Sequence, residues 1–579
     1  MVNPSQPPTA PPPQEPTTVS YPGGLSVRLV DLGLGDYVHD MASRRYPLYT
    51  RGNVGEVFPE VVYPFTSSLA RHAGSEPFTE LYIAAGGMTE DDFDEDLTIG
   101  APVSTFAGYN YLNLSVARTL TGRAPGSKPE DIDTVFFGRE GLAPPHRKQK
   151  TDRNLRASLA LVRFAITTTR ITELPQLDQD KIEFAEWRDG LTPVADATDD
   201  ELADRIVDAV ERVTVLFARH LLVSQKAATA HVVLGDLCER FGGDGDLDAV
   251  SLMAGIGDVE SAEPARYMWA LSRLDPTSAA YEGEFQAFLA DYGSRGPNEW
   301  DAASPSWGTD PSMVTTMVNS LRAADVSQSP TARDRRLADE RVATLRQLPT
   351  NRLVRPMIDR VIQAATVLSQ GRERAKTTVV KVVHEIRLAG NELGRRLAER
   401  AGSDRADDLW YVYWHEFADY RSEPATFADR IAQRRATRDA LMQLEPPFIF
   451  DGDLPPLDTW ERRDAETTAP AATGTVLQGT PGCAGTVTGT ARVVRDASDD
   501  AELGPGTILI APLTDPSWTP LFMGVDAVVV NVGGQMSHAV IVARDLGIPC
   551  VVSVERATDV IPDGATITVD GLAGTVTIE

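Results

Sequence analysis

The amino-acid sequence predicts a multidomain protein of two unlike parts, a mainly helical body followed by a small α/β domain. The chain has 579 residues, and at about 100 to 200 residues per domain this length suggests two to four domains. Segments with helical periodicity dominate residues 25–444. From residue 479 onward, short β-type runs separated by glycines replace the helical segments.

The helical body is expected to be one domain spanning residues 25–444. Its clearest helical segment begins at Glu201, and clusters of proline and glycine near residues 125–127 and 293–297 mark loops between helices. Residues 1–24 are rich in proline and have neither a basic start nor an apolar stretch, which predicts a disordered tail and no secretory signal. Residues 445–478, rich in proline, threonine and alanine, predict a flexible linker.

The α/β domain is expected to span residues 479–579 and to fold without strands from the body. Its sequence contains one amphipathic helix, from about Ser537 to Leu546, among six β-type runs: GTVTGTARVV, GTILIAP, DAVVVNV, PCVVSV, ATITVD and GTVTIE. This alternation predicts a compact α/β fold.

Composition and charge exclude several classes of partner. The formal net charge of −28 repels nucleic acid and anionic lipid surfaces. No run approaches the roughly 20 apolar residues of a membrane span, so we expect no membrane segment. The three cysteines lack metal-ligand or disulfide spacing, which favours a reducing cytoplasm and no metal bound by this chain.

A glycine turn followed by a histidine is the most informative motif of the C-terminal domain. A buried strand runs into Gly533 and Gly534, and Ser537 with His538 then opens a helix. Free N–H groups at a helix start favour a phosphate, so we assign phosphate binding to Gly533, Gly534 and Ser537. A neutral imidazole at His538 would be the nucleophile. An unselected histidine would more often cap the helix or pack in a core.

This segment resembles the phosphohistidine domain of phosphoenolpyruvate synthase, pyruvate phosphate dikinase and rifampin phosphotransferase. The shared signature consists of Gly533, Gly534, Ser537, His538, Ala543, Arg544, Gly547, Ile548 and Pro549. The resemblance covers residues 479–579, and it implies that His538 is phosphorylated and that the domain swivels between two active sites. Met536 replaces the threonine usual in the dikinases, which excludes regulation by phosphorylation of that threonine.

Four patches of the body are similar to the substrate-binding domain of rifampin phosphotransferase and to the matching part of phenylphosphate synthase. They begin at Thr50, Phe106, Phe288 and Gly371 and occur in the family's order. Ser294 stands where the family usually has a histidine, so either the base has moved or the acceptor differs.

Four charged residues of the body are the candidates for the acceptor end of the reaction. Arg372 and Lys376 are four apart on a predicted helix and share a face, and the resemblance implies that they face the phosphoryl-transfer site. A solvated basic patch is the alternative. Arg295 and Glu299 would be a second phosphate contact and a general base for the acceptor hydroxyl, or a structural ion pair.

The source of the phosphoryl group is expected to lie outside this chain. Family members of this kind normally begin with an ATP-grasp domain, whereas here the predicted tail leads directly into the body and no GxxxxGK phosphate loop occurs. The resemblance to phenylphosphate synthase implies an ATP-grasp protein acting in trans, which would bind ATP and Mg²⁺, with no cofactor bound by this chain alone.

Together these features predict the substrate-binding and phosphohistidine-carrier subunit of an ATP-dependent phosphotransferase acting on a small apolar alcohol or phenol. Two alternatives stay open. The chain would be a dehydratase if phosphorylation of an alcohol were followed by elimination of phosphate. It would be a non-enzymatic ligand-binding protein if the swivel domain were a relic, which the intact Gly533-to-His538 loop argues against.

The first prediction concerns autonomy. Purified alone with ATP and Mg²⁺, the chain is expected to remain unphosphorylated, because its sequence contains no recognisable nucleotide-binding motif. Incorporation of label from [γ-³²P]ATP and [β-³²P]ATP measures this, with and without an added ATP-grasp protein. Labelling of the isolated chain would contradict a donor in trans.

Overall fold

The structure is a computed structural model and describes most of the chain. The described residues are 17–20, 26–29, 36–70, 76–93, 102–137, 141–150, 152–241, 252–253, 263–322, 329–348, 354–463, 470–495, 503–514, 518–534 and 537–579. Most of the predicted N-terminal tail and residues 464–469 of the predicted linker therefore lie outside the described residues.

The predicted two-part architecture is confirmed, with a helical body and a small α/β domain at the C-terminus. The helices of the body are α1 (Val54–Val57), α2 (Pro64–Ala70), α3 (Glu76–Ala84), α4 (Leu114–Arg123), α5 (Asp131–Phe137), α6 (Leu155–Thr168), α7 (Pro175–Asp189), α8 (Asp199–Phe241), α9 (Glu263–Ser272), α10 (Ala279–Tyr292), α11 (Ser312–Arg322), α12 (Pro330–Gln347), α13 (Arg355–Ala401), α14 (Phe417–Ser422) and α15 (Ala428–Met442). The C-terminal domain adds α16 (Thr519–Phe522), α17 (His538–Leu546) and α18 (Ala557–Val560).

The strands form one large and three small sheets. In chain order they are β1 (Thr17–Ser20), β2 (Ser26–Leu29), β3 (Leu48–Thr50), β4 (Val103–Phe106), β5 (Tyr109–Asn113), β6 (Leu444–Glu445), β7 (Ile449–Asp451), β8 (Glu461–Arg462), β9 (Val476–Gln478), β10 (Thr480–Cys483), β11 (Thr486–Val493), β12 (Thr507–Ala511), β13 (Ala527–Val530), β14 (Cys550–Val552), β15 (Thr566–Asp570) and β16 (Thr575–Ile578). The small sheets are β1-β2, β6-β8 and β4-β5-β3-β7, all antiparallel.

Helices α8 and α13 run antiparallel and form the scaffold of the body. Asp199, at the start of α8, pairs with Arg396 at 3.0 Å and with Arg400 at 2.6 Å near the end of α13. Far along α8, Leu234 packs in one cluster with Ile358 near the start of α13. Two long packed helices hold the side chains in the middle of α13 in fixed positions.

The buried face of α13 follows from its sequence. Apolar residues recur at helical spacing and pack against α8 and the aromatic segment that follows α13, among them Val379, Val382, Val383, Ile386, Leu393 and Leu397. The helix ends at Gly402, whose left-handed φ of 74° is the conformation that glycine adopts at little cost.

The C-terminal domain is built on an eight-stranded sheet in the order β10-β14-β13-β12-β11-β15-β16-β9. Strands β11 to β14 are parallel neighbours. The residues of β12, β13 and β14 are nearly all apolar and buried, as expected of strands covered on both faces, whereas β11 is mostly half-buried or exposed. Helix α17 connects β13 to β14 and covers one face. The predicted amphipathic helix is thereby confirmed, with its first helical residue at His538.

The first half of the predicted linker is built into the body. Strand β7 adds to the edge of β3, and Phe450 stacks on Tyr49 with ring centroids 5.2 Å apart. Strands β6 and β8 form a ribbon. The sequence pattern did not predict these strands, because each has only two or three residues and prolines lie between them. The connection to the C-terminal domain therefore begins after Arg463, and strand β9 already belongs to the large sheet.

The C-terminal domain is docked on the body. Met268 of α9 and Phe288 of α10 belong to the same apolar cluster as Phe522 and Val540 of the C-terminal domain. This contact brings the start of α17 against the body. Within the described ranges, none of the helices has the length and apolar character needed to cross a bilayer.

Candidate functional site

His538 lies at the junction between the C-terminal domain and the body. Strand β13 leads through Gly533 and Gly534 to Ser537, whose extended backbone (φ −68°, ψ 156°) makes it the N-cap of α17. His538 is therefore the first helical residue, and its backbone N–H has no partner within the helix. That N–H donates instead to Glu56 Oε2 of the body at 3.0 Å.

The imidazole of His538 is held between two hydroxyls of its own domain. Nδ1 lies 3.2 Å from Thr514 Oγ1, and Nε2 lies 3.3 Å from Thr519 Oγ1. Burial, followed by the positive charges of Lys376 and Arg295, holds the pKa of His538 well below its ordinary value. The ring is therefore neutral at physiological pH, which is the form that can act as a nucleophile.

The loop between α10 and α11 carries Arg295 and Glu299 to this junction. Gly296 has a φ of 156°, and a Cβ atom there would lie 2.8 Å from the Cα atom of Ser306. The buried guanidinium of Arg387, on α13, donates to three carbonyls of the loop, those of Glu299, Asp301 and Ser304, at 3.2, 2.9 and 2.6 Å. Helix α13 therefore fixes the loop as well as its own site residues.

The four charged residues predicted for the acceptor end come together in one cluster. Lys376 Nζ lies 2.8 Å from Glu299 Oε1, and Arg295 Nε lies 3.3 Å from Glu299 Oε2. Glu299 is only 1% exposed, yet neither of its oxygens has a well-directed hydrogen bond from the described residues. The two cations are thus paired with Glu299 by proximity and retain donors for another anion.

Arg372 completes the cluster one helical turn before Lys376. Its Nε lies 3.5 Å from Glu373 Oε1. Burial raises the pKa of Glu373, but the charges of Arg372, Lys376 and Arg295 outweigh it and leave that pKa lowered. Arg372 also lowers the pKa of Glu56. The shared helical face predicted for Arg372 and Lys376 is observed, and their contact with a transferring phosphoryl group stays a prediction.

Glu56 is the site residue that sequence reasoning missed. It lies on α1, within the patch that begins at Thr50, and it contacts His538 although 482 residues separate the two. Burial raises the pKa of its carboxyl to about 7, against the lowering effects of the His538 N–H and of Arg372. The resemblance of the patch was the only signal in the sequence, and it gave the glutamate no role.

The three residues assigned to phosphate binding lie around His538 in different environments. A Cβ atom on Gly533 would lie 3.0 Å from Ser537 Oγ, and one on Gly534 would lie 2.4 Å from the carbonyl oxygen of Val135 on α5. Gly534 therefore lets the C-terminal domain approach the body. Ser537 is buried, and its hydroxyl lacks a partner among the described residues. Binding of phosphate by these residues stays a prediction.

An apolar cavity of about 210 Å³ adjoins the charged cluster. Val54 and Val57, on either side of Glu56, line it, and so does Trp300, which follows Glu299. Most of the remaining lining is apolar, and the polar contributors are Asn53, Thr66, Asn110 and His220. Burial and then the charge of Arg372 lower the pKa of His220 to about 3, so this ring is neutral. A small apolar ligand with one polar group fits such a lining.

Ser294, which the sequence analysis singled out, and the histidines His384 and His415 are not among the residues that line this cavity. Ser294 is buried beside His384 in a different cavity, of about 500 Å³. His384 Nδ1 lies 3.2 Å from Arg387 Nη1 and 3.3 Å from Ser306 Oγ, and His415 stacks on Tyr413.

Among the described residues, no cluster of histidine, cysteine, aspartate and glutamate is suited to hold a metal ion.

Comparison with known families identifies two segments of the chain. Residues 503–574 match the PEP-utilising enzyme, mobile domain family, and residues 219–373 match the rifampicin phosphotransferase fourth domain. The second segment contains the α10–α11 loop and Arg372. The resemblance indicated by the sequence motifs is confirmed.

Curated proteins similar to the chain are longer than the chain itself. An uncharacterized protein of Mycobacterium tuberculosis is 29% identical over 92% of this chain and 61% of that protein. Rifampicin phosphotransferase of Streptomyces sviceus is 32% identical over 51% of this chain and 34% of that protein. The prodigiosin synthesizing transferase PigC of Serratia marcescens is 32% identical over 53% and 34%. The chain spans less than two thirds of the length of each of them.

The docked arrangement generates a prediction about Gly534. Gly534→Ala is expected to block docking on α5, because its Cβ atom would lie 2.4 Å from the carbonyl oxygen of Val135. His538 should still accept a phosphoryl group, whereas discharge to an acceptor should fall by about 100-fold or more. The amount of phosphohistidine formed and its decay after addition of acceptor measure the two steps separately.

Gly504→Ala is the matched control, because a Cβ atom at Gly504 in the same domain meets nothing within 4 Å. We expect this variant to behave as the unaltered chain does in both steps. Equal discharge rates in the two alanine variants would contradict a role for this docked arrangement in transfer.

Proposed function

The chain carries a PEP-utilising enzyme mobile domain and a rifampicin phosphotransferase fourth domain, and from this premise we propose that it is the substrate-binding and phosphohistidine-carrier part of a phosphotransferase. The phosphoryl group rests on His538 and passes to a hydroxyl of a small apolar alcohol or phenol. A separate ATP-grasp protein, using ATP and Mg²⁺, loads the histidine.

One observation carries this proposal: the mobile domain docks so that His538 meets the charged cluster beside the apolar cavity. The backbone N–H of His538 contacts Glu56, and the charges of Lys376 and Arg295 act on its imidazole. A carrier histidine that only packed in its own domain would not need cations from a helix and a loop of another domain. The arrangement fits the acceptor end of a carrier's path.

The chemistry consists of two displacements at phosphorus. In the first, a ring nitrogen of His538 attacks the donor phosphoryl group, the N–P bond forms, and the P–O bond to the donor breaks. In the second, the acceptor oxygen attacks phosphorus, and the N–P electron pair returns to the ring nitrogen. A proton stays on the other ring nitrogen throughout, beside the Thr514 or Thr519 hydroxyl, so that the leaving imidazole is neutral.

Cations are needed at the second displacement because phosphoryl transfer depends mostly on positioning and on stabilising negative charge. Lys376 and Arg295, now paired with Glu299, and Arg372 beside Glu373 supply three positive charges on one side of His538. In this proposal the phosphoryl oxygens share Lys376 and Arg295 with Glu299. Glu299 then serves as the counter-ion that keeps the empty site neutral.

The class of acceptor is inferred from the cavity. Its volume of about 210 Å³ and its lining of valine, leucine, phenylalanine and tryptophan side chains suit a compact apolar molecule. Such a molecule would bind through its hydrocarbon surface and present its hydroxyl toward His538.

A donor in trans is part of this proposal because these 579 residues contain no GxxxxGK phosphate loop. A histidine that alternates between two sites requires a hinge, and in this proposal the hinge precedes Ala471, whose N–H already donates to Val560 of the C-terminal domain.

The proposal predicts the fate of a phosphoryl group loaded chemically with phosphoramidate. The unaltered chain should acquire an acid-labile, base-stable label at His538 and transfer it to added phenol. His538→Ala should lose that label and the phenyl phosphate product while keeping its fold, because the residue opens a helix at a domain junction. Peptide mapping and product analysis measure both results.

Variants of the acceptor end sharpen this test. Arg372→Ala and Lys376→Ala should load normally but discharge to phenol about 10²- to 10³-fold more slowly, since each removes a charge that stabilises the transition state. Ser537→Ala should retain the label at His538. A label on Ser537, or unchanged discharge in both cation variants, would overturn the proposal.

A further inference from the structure

The carboxyl group of Glu56 is the titratable group of the body in direct contact with the carrier residue. Its Oε2 accepts the backbone N–H of His538 at 3.0 Å, so it lies at the positive end of α17. Among the described residues, no hydrogen bond to its other oxygen, Oε1, is present. One carboxylate oxygen is thus fixed by docking, and the other has no competing donor.

The position of Glu56 in α1 also places it beside the acceptor cavity. Its neighbours Val54 and Val57 line that cavity, as do Asn53 and Phe58. Asn53, the N-cap of α1, has a left-handed φ of 68°, a conformation that costs a non-glycine residue energy. The short helix therefore holds a carboxyl group that contacts His538 within a segment whose other side chains line the cavity.

Glu299, the base predicted from the sequence, is less suited to the task. One of its carboxylate oxygens lies beside Lys376 and the other beside Arg295, whereas Glu56 contacts His538 itself.

We propose that Glu56 is the general base that accepts the proton of the acceptor hydroxyl during discharge of phosphorylated His538. This inference rests on the proposed function. As the acceptor oxygen forms its bond to phosphorus, its proton moves to Glu56 Oε1, and the N–P bond breaks with its electron pair returning to His538. Glu56 releases the proton to solvent when the domain undocks.

The ionisation of Glu56 suits this role. Burial raises the pKa of its carboxyl to about 7, so a large fraction is deprotonated at physiological pH and the conjugate acid is not too strong. The charged groups that face it are Arg372, whose charge lowers this pKa, and the positive end of α17. A phosphoryl group on His538 would raise the pKa of Glu56 further, because a like charge disfavours an ionised carboxylate.

Docking gives Glu56 its hydrogen-bond donor, because the N–H of His538 belongs to the mobile domain. When the domain leaves, Glu56 loses that donor. The base is therefore assembled only while the phosphoryl group is at the acceptor cavity.

The test uses the full chain loaded at His538 with phosphoramidate and discharged to phenol. The discharge rate of the unaltered chain should rise with pH through about 7 and level off above it, since the base must be ionised. Glu56→Gln keeps an oxygen that can accept the His538 N–H but cannot take a proton. It should discharge about 10²- to 10⁴-fold more slowly at pH 8 and lose the rise near pH 7.

Glu60→Gln, four residues along the chain, is the matched control. Glu60 pairs with Arg438 at 3.1 Å at a half-exposed position, and the variant should keep both the rate and the pH profile. A Glu56→Gln variant that discharges to phenol with the same pH profile as the unaltered chain would overturn the role of Glu56 alone. If the unaltered chain transfers nothing to phenol, the proposed function fails and this role falls with it.

Discussion

The structure depends on the balance of buried charge at the place where His538 meets the body. Three cations, Arg295, Arg372 and Lys376, and three carboxyl groups, Glu56, Glu299 and Glu373, share this small volume. Buried ions are costly unless they are paired, and removing one partner leaves an uncompensated charge. All six groups must therefore be held in fixed positions. The antiparallel pair of long helices and the three hydrogen bonds from Arg387 to the loop provide this rigidity.

The same balance of charge would affect both the docking and the release of the mobile domain. Unphosphorylated His538 enters as a neutral ring, because burial and the nearby cations disfavour its protonation. Under the proposed function, a phosphorylated ring would bring negative charge to a place where Lys376 and Arg295 are paired with Glu299 and retain donors for another anion. Transfer of that charge to an acceptor restores the initial balance. Under the proposed function, the charges around His538 would therefore favour docking of the phosphorylated ring and release of the unphosphorylated one.

Much of the site could be read from the sequence, because two of its parts are local. The glycine turn and His538 form a contiguous motif, and Arg372 and Lys376 share a helical face by their spacing alone. Arg295 and Glu299 were found through the similarity of one loop. Their roles remained ambiguous because an ion pair and a phosphate site require the same residue types.

The remainder depends on contacts between distant parts of the chain. Glu56 meets His538 across 482 residues, and no periodicity or spacing encodes that contact. The sequence motif assigns Gly534 to a phosphate-binding turn. In the structure, its missing side chain also makes room for the carbonyl of Val135 in the body. Strand β7 was hidden in a proline-rich segment, since a three-residue strand is stabilised by the sheet it joins and not by its own composition.

We propose above that phosphorylated His538 docks on the cationic cluster of the body. A high-resolution structure of the chain phosphorylated at His538 would test this docking. We expect phosphoryl oxygens within hydrogen-bonding distance of Lys376 and Arg295, with the acceptor cavity open beside them. A phosphoryl group directed into solvent, with the pairing of Lys376 and Arg295 to Glu299 unchanged, would contradict it.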